Sequence, residues 1–430
     1  VNEWSSYDVI VAGGGPAGIC AAVSAAREGV SVALIERYGI LGGMLTSGHV
    51  HPILGMTEPN TMYHEMVQLL KSGHEDKETI ITRNGAECHV DPEEAKLLLL
   101  DFVNENGVDI YLQTPVVDVV MDENRVAGLK IGTQEGIKTI LGKVFVDATG
   151  DGFVAAQAGA PFFLGRDVDG RCQPTSVEFT LDHVNEETAI SCYGGSDPVT
   201  LPDGVRYSDF CKEASKRGEL PENVTIVRLH KTFYPGERQV NATQANNCNT
   251  LTPAGILEAE LTTRKQIPII VEFLRKHIPG YENCRVTASG STLGVRETRR
   301  ILGEYVLNDE DVERGSRFED VIVHNAWFLI DIHNPNGGGQ AEGRSQPAKP
   351  YDIPLRCLIP QKVDSLILAG RCISGTHRAH ASYRVMGIAF AVGQAAGITA
   401  ALCVRHEIQP RKVPCTEVQK VLIHRGAKLF

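Results

Sequence analysis

From Tyr7 the chain alternates apolar runs with glycine breaks in an order that predicts its first elements. Val9-Ile10-Val11-Ala12 reads as a buried strand, Gly13-Gly14-Gly15 as a turn, the Ala-rich stretch opening at Pro16 as a helix, and Val32 to Glu36 as a second strand. Asn60 is expected to cap a helix through Lys71. Asp91-Pro92-Glu93-Glu94 is a stronger start signal, with an acid at the N-cap, proline first in the helix and glutamate third; that helix runs to about Asn106 and stops at Gly107. Apolar runs at Asp109 to Thr114, Val116 to Met121, Val126 to Ile131 and Lys138 to Val146 predict a β-meander that returns to the first sheet at Asp147-Ala148-Thr149-Gly150-Asp151-Gly152.

Beyond Ala155 the pattern loosens. Strands are expected at Ser176 to Leu181, Arg285 to Ser291 and Trp327 to Ile332, with one long helix from Pro253 to His277 that carries Pro268 inside it. Residues 334–348 are rich in Gly, Pro, Asn and Ser and read as a surface loop or lid. A buried strand from Ser365 to Ala369 then ends in Gly370-Arg371, and a Gly- and Ala-rich helix runs from about Val385 to Val404. The expected organisation is a first domain over 1–155, an inserted α+β substrate domain over 156–350, and a return to the first domain over 351–430.

The opening strand, turn and helix carry chemistry. Gly13 permits a tight turn out of the strand, Gly15 lets the backbone approach a pyrophosphate, and Gly18 lets the helix pack against the strand. The helix opening at Pro16 and Ala17 directs unpaired N–H groups and a positive dipole end toward phosphate. Glu36 ends the next strand, where a carboxylate accepts hydrogen bonds from ribose hydroxyls and disfavours a 2′-phosphate. A dinucleotide other than NADP is therefore expected.

Composition narrows the partner. The net charge of −11 argues against a nucleic-acid footprint or a polybasic membrane surface, which leaves a small molecule. No segment is expected to reach ~18 uninterrupted apolar residues, and no basic and apolar leader precedes the first strand, so a cytoplasmic enzyme is the expectation. The 11 cysteines are scattered with no C-x-x-C pair and read as reduced thiols.

Four blocks together resemble the FAD-dependent oxidoreductases of the glutathione-reductase-type fold: Gly13 to Gly18 with Glu36-Arg37 and Gly42-Gly43; Ala148-Thr149-Gly150-Asp151-Gly152; Leu368-Ala369-Gly370-Arg371; and Arg384-Val385-Met386 with Gly393-Gln394-Ala395-Ala396-Gly397. Gly294 to Arg300, with the C-terminal block, is similar to a poorly characterised bacterial branch of these enzymes. The resemblance implies an α/β fold with a Rossmann-like FAD-binding domain built from both chain ends. It further implies that Gly42, Gly43 and Met44 follow the pyrophosphate toward the flavin, and that Val116 and Ala148-Thr149-Gly150 lie along the dinucleotide. Gly370-Arg371 would close over the ribityl chain, and Val385-Met386 would open a helix aimed at the flavin edge that becomes anionic on reduction. The absence of a second G-x-G-x-x-G unit and of a redox cysteine pair argues against a pyridine-nucleotide disulfide reductase.

A flavoenzyme needs a pocket, a charge that orients substrate and a proton carrier. Arg296, Arg299 and Arg300 lie in one stretch, and Arg296 is the chosen active-site member, able to grip a substrate carboxylate; structural ion pairs with Glu297 or Glu304 are the competing reading. His377 is the leading acid/base candidate, with Arg378 and His380 beside it in an expected loop. His49 and His51 would line the pocket; a metal held by this H-x-H pair with His377 or His380 is the lesser reading, since no Cys or carboxylate ligands are grouped with them, and no metal site is expected. Asp331, His333 and Asn334 are weaker candidates for facing substrate, and Cys372 or His49 for covalent flavin attachment. The expected activity is hydride transfer between an organic substrate and the flavin N5. A non-redox or NAD-using enzyme of the same fold, and an electron-transfer flavoprotein, stand as alternatives.

Overall fold

The computed structural model describes residues 3–59, 61–72, 80–82, 85–339 and 341–430. Its largest sheet has five mutually parallel strands in the spatial order Asp109–Tyr111, Val32–Ile35, Glu3–Ala12, Gly136–Asp147, Leu366–Leu368. Val9, Ile10, Val11, Ala33 and Leu34 are fully buried, as central parallel strands covered on both faces require. Val116–Asp122 and Arg125–Thr133 add to the same sheet as the antiparallel meander. The apolar run at Asp109 does not join that meander. It instead lies on the opposite edge, because the helix Pro92–Glu105 is a crossover that returns the chain parallel to Val32–Ile35.

That helix begins as its sequence predicts: Asp91 Oδ1 accepts from Glu93 N at 2.7 Å and Glu94 N at 3.3 Å. A helix is also present at Met62–Leu70, entered through Thr61; the proposed cap Asn60 lies outside the described residues. The helix Pro16–Arg27 packs against Met386–His406 almost backbone to backbone. A Cβ at Gly393 would fall 2.1 Å from the Ala17 carbonyl oxygen, and one at Gly397 2.1 Å from that of Ala21. Met386–His406, at the length its sequence predicts, is the one helix among the described residues long and apolar enough to cross a membrane by length and composition; 94% of its apolar window is buried inside this core.

A second sheet is fully antiparallel, in the order Arg228–Lys231, Arg238–Asn241, Phe179–Asp182, Arg285–Ser289. Its apolar side chains, Phe179, Leu181, Leu229 and Val240, share a core with Ile270, Phe273 and Leu274 of the helix Pro253–His277. That helix starts at Thr252, whose Oγ1 accepts from Gly255 N at 3.2 Å, and ends on Arg275, Lys276 and His277, which complement its C-terminal dipole. Pro268 sits inside it. Apolar residues from Ile301 to Ile359 share the core of the large sheet.

Trp327 to Ile332 is not a strand. Phe328, Ile330 and Ile332 are buried while Trp327, Leu329 and Asp331 are less so, and only isolated bridges to Met56 and Gln346 form. Alternation reports a buried side; a ladder also needs a neighbouring strand. His377, Arg378 and His380, expected in a loop, lie in the helix His377–Tyr383, capped by Thr376 Oγ1, which accepts from Ala379 N at 3.2 Å.

Candidate functional site

The first strand ends where Gly13 adopts φ +102°, and a Cβ there would fall 2.4 Å from the Ala148 carbonyl oxygen. Ala148 N donates to Ala12 O at 2.9 Å, so the Ala148-Thr149-Gly150 strand end runs beside the glycine turn. Gly42 N donates to Gly14 O at 2.8 Å, and Gly43, at φ +53°, faces Gly15 so closely that a Cβ on Gly43 would lie 3.0 Å from the Gly15 Cα. Two glycine turns thus meet with no side chain between them, at the start of a helix with no side-chain cap. Backbone N–H groups and dipole make such a helix start an anion site.

Glu36 is buried at the same place. Its Oε2 accepts from Gly14 N at 2.6 Å and its Oε1 from Tyr38 N at 2.8 Å. Burial pushes its carboxyl above the ordinary range, against the pull of those backbone bonds. A carboxylate has about four lone-pair directions, so these backbone bonds leave capacity for a ribose hydroxyl. Thr114 N donates to Glu36 O at 2.8 Å, which brings the strand opening at Val116 alongside. Arg37 is exposed, stacked over the Tyr38 ring at 4.7 Å.

At the other end of the cradle, Met44 opens a turn in which Gly48 N donates to Gly43 O at 3.0 Å. Arg371 Nη2 meets Asp151 Oδ1 at 2.6 Å and its Nη1 donates to Thr298 Oγ1 at 3.2 Å. Burial would raise the Asp151 carboxyl, but the Arg371 charge and the hydrogen bonds that Thr298 Oγ1 (2.8 Å) and Arg371 donate to it hold it below the usual range. Gly370, at φ +78°, carries this arginine across the Ala17 methyl. The helix Met386–His406 likewise has no side-chain cap at Val385. Two uncapped helix starts, two facing glycine turns and a buried acid fit an extended dinucleotide such as FAD.

The second sheet turns a polar face toward this cradle. Register places Thr180 opposite Gln239, His230 opposite Gln239 and Arg228 opposite Asn241, so these side chains share one face with Glu178. All but Asn241 are buried. Gln239 Nε2 donates to the Glu178 carboxylate. His49, held at φ +58° just after the Met44 turn, brings its Nε2 to 2.7 Å from Thr180 Oγ1, and His51 Nε2 lies 3.2 Å from His49 Nε2. Burial lowers the His49 imidazole; burial and the neighbouring His49, His89 and His230 rings lower His51 further.

A guanidinium cluster adjoins that face. Arg296 is buried, donating from Nη1 to Pro174 O at 2.8 Å and from Nη2 to Asn241 Oδ1 at 3.4 Å. Burial and the charge of Arg384 bring it down to about 10, so it remains charged at neutral pH. Arg384 Nη2 lies 3.2 Å from Asp331 Oδ2, which also lies 3.2 Å from His333 Nε2. His333 N donates to Gln173 Oε1 at 3.1 Å. Within this network Arg384 Nε, Gln173 Nε2 and His333 Nδ1 are buried without hydrogen-bond partners. Buried polar atoms left unpaired are costly and are usually satisfied by a ligand or water.

Of the sequence candidates, Arg296 and His49 lie in this region. His377 is bound through Nδ1 to Glu297 Oε1 at 2.9 Å, and Glu297 is also paired with the buried Arg300. Arg378 is committed to Glu313 at 2.7 Å, Glu342 and Asp309 on the outer side. Arg299 lies over the Phe162 ring at 5.5 Å. The Cys372 thiol is buried against Asp147 O at 3.5 Å, and His380 is fully buried. All 11 cysteines are free. Among the described residues no group of three or more metal-binding side chains could hold a metal ion. Sequence reading gave no site role to Arg228, Glu178 and Thr180, and named Arg384 only within the C-terminal block. The signal available was charge at alternate positions of short strands, as in Arg228-Leu229-His230.

A model described as FAD dependent oxidoreductase matches residues 8–422. Digeranylgeranylglycerophospholipid reductase 1 of Methanococcoides burtonii is 26% identical over 206 residues, 44% of this chain and 47% of that protein. Dihydrolipoyl dehydrogenase of Trypanosoma brucei brucei is 39% identical over 62 residues, 14% of this chain and 13% of that protein. The chain thus spans at most about half the length of these curated relatives. Among solved structures, a geranylgeranyl bacteriochlorophyll reductase-like protein from Thermoplasma acidophilum aligns with 98% of this chain and 84% of its own, at 13% identity and a TM-score of 0.49. With a cradle that fits the dinucleotide and a family match over nearly its whole length, the chain belongs to the FAD dependent oxidoreductase family and uses FAD as its cofactor.

Proposed function

We propose that the protein oxidises or reduces a small organic carboxylate by hydride transfer, with the substrate held between the FAD cradle and the polar face of the antiparallel sheet. When bound, FAD supplies a two-electron hydride acceptor or donor. The chain's own residues do the rest. Gly13, Gly15, Pro16, Ala17, Gly18, Glu36, Gly42 and Gly43 would hold the adenosine and pyrophosphate, and Gly370, Arg371, Val385 and Met386 the flavin end. Arg296 and Arg384, with Arg228 beside them, would bind and orient the carboxylate, and the covering sheet would exclude water.

The observation that carries the reading is the buried network around Asp331. It contains the unpartnered Arg384 Nε and Gln173 Nε2, which are hydrogen-bond donors, together with the buried charge of Arg296. Donors and positive charge of this kind are satisfied by an anionic acceptor, and guanidinium matches carboxylate in geometry. His49 and His377 remain acid/base candidates within the same reading.

The test is anaerobic bleaching of the bound flavin by paired substrates, such as 2-hydroxy and 2-amino acids against the corresponding neutral alcohols and amines. Carboxylates should bleach it, and Arg296→Leu should slow bleaching about 10- to 150-fold, the scale of a lost charge-assisted hydrogen bond, while retaining flavin. Equal bleaching by the neutral compounds would sink the carboxylate assignment.

A further inference from the structure

We propose that Asp331 and His333 form an acid-base dyad in this pocket and that binding of the anionic substrate switches it on. The inference rests on the carboxylate reading above and adds a proton to it. His333 Nε2 lies 3.2 Å from Asp331 Oδ2, the ring is 4% exposed, and Nδ1 has no hydrogen-bond partner. A neutral ring that donates through Nε2 to a carboxylate carries its lone pair on Nδ1, the arrangement in which a carboxylate orients a histidine base.

The groups around the ring explain why the dyad is off without substrate. Burial and the positive charge of Arg296 push His333 down to about 3, against the pull of Asp331, and Arg228 adds to the depression. Arg384 faces Asp331, and Glu178 faces Arg296. Asp331 itself is held well below the usual carboxylate range by His333, Arg384 and Arg228, despite its burial. An anion seated on the arginines cancels the field that opposes a charged imidazole. The ring then accepts a proton more readily, as linkage requires of two coupled sites.

Such a base has a use in oxidation. When hydride leaves a carbon bearing O–H or N–H, the electrons of the O–H or N–H bond close the new C=O or C=N bond and one proton is released. Nδ1 of His333 is the lone pair available to take it, and the positive charge then rests beside Asp331.

The experiment is titration calorimetry of the FAD-loaded protein with acetate, succinate and benzoate, in buffers of different ionisation enthalpy. It reads the number of protons taken up per carboxylate bound. Uptake should be a fraction of one proton at pH 7, should grow toward one as pH falls to about 5.5, and should vanish in His333→Gln with carboxylate binding retained. Asp331→Asn, as a second variant, should reduce it. Binding without uptake, or uptake unchanged in His333→Gln, overturns the dyad and leaves the carboxylate reading standing. Binding by none of the three anions overturns the carboxylate reading, and the dyad with it.

Discussion

The cofactor cradle and the proposed substrate site are built on opposite principles. The cradle is backbone: glycines at Gly13, Gly15 and Gly43, two uncapped helix starts, and one acid, Glu36, that also ties down its own turn. The proposed site is side chain, with charged and polar groups gathered from the segments around His49, Thr180, Arg228, Gln239, Arg296, Asp331 and Arg384. A backbone site tolerates almost no added atom, whereas a side-chain site tolerates exchange of shape and fails on loss of charge. The same dinucleotide frame can therefore carry different chemistry by changing the face that covers it.

The sharpest way to break the comparison is to add atoms where the cradle helices touch. Gly393→Val would drive a branched side chain into the Ala17 carbonyl, and should cost about 3 kcal/mol or more and release flavin. Thermal unfolding and the flavin content of the purified variant measure both; a near-normal melting temperature would contradict backbone-to-backbone packing. Next in size, Glu36→Ala should weaken FAD binding by about 1.5 to 3 kcal/mol. Equilibrium fluorescence titration reads this, and unchanged affinity would remove Glu36 from the ribose.

The buried histidines should show themselves in acid. His51, His333 and His380 are buried and held below the ordinary histidine value of 6.5, so below that pH the unfolded chain binds more protons than the native one. Stability is therefore full above 6.5 and falls as pH drops toward the native values, about 3 for His333. The expected slope is about 1.4 kcal/mol per pH unit for each such histidine. Denaturant unfolding between pH 7 and about 5 measures it, and a flat profile would mean that these rings are solvated. The smallest effect is expected at Arg378, whose partners are partly exposed carboxylates. Arg378→Ala should change stability by about 0 to 1 kcal/mol and leave the bleaching rate unaltered, which separates it from Arg296.

What was legible follows from distance along the chain. The glycine turns, the cap at Asp91, the helix Pro253–His277 and the FAD family were readable because the residues that fix each lie close together or form blocks of defined order. Asp109–Tyr111 was misplaced because an apolar run does not name its neighbour, and Trp327 to Ile332 was overread because alternation reports burial rather than pairing. Arg378 and Arg296 look alike in sequence as single arginines in promising segments. One meets three surface carboxylates and the other is buried among guanidinium groups.

The sequence by itself determined the dinucleotide cradle, because phosphate recognition needs absent side chains, free N–H groups and one acid at fixed local spacing. Only the tertiary structure decided the polar and guanidinium cluster that faces the cradle, because its charge is shared across strands and loops far apart in the chain. It is burial in one place that leaves Arg384 and Gln173 with unpaired donors and holds His333 neutral against Asp331.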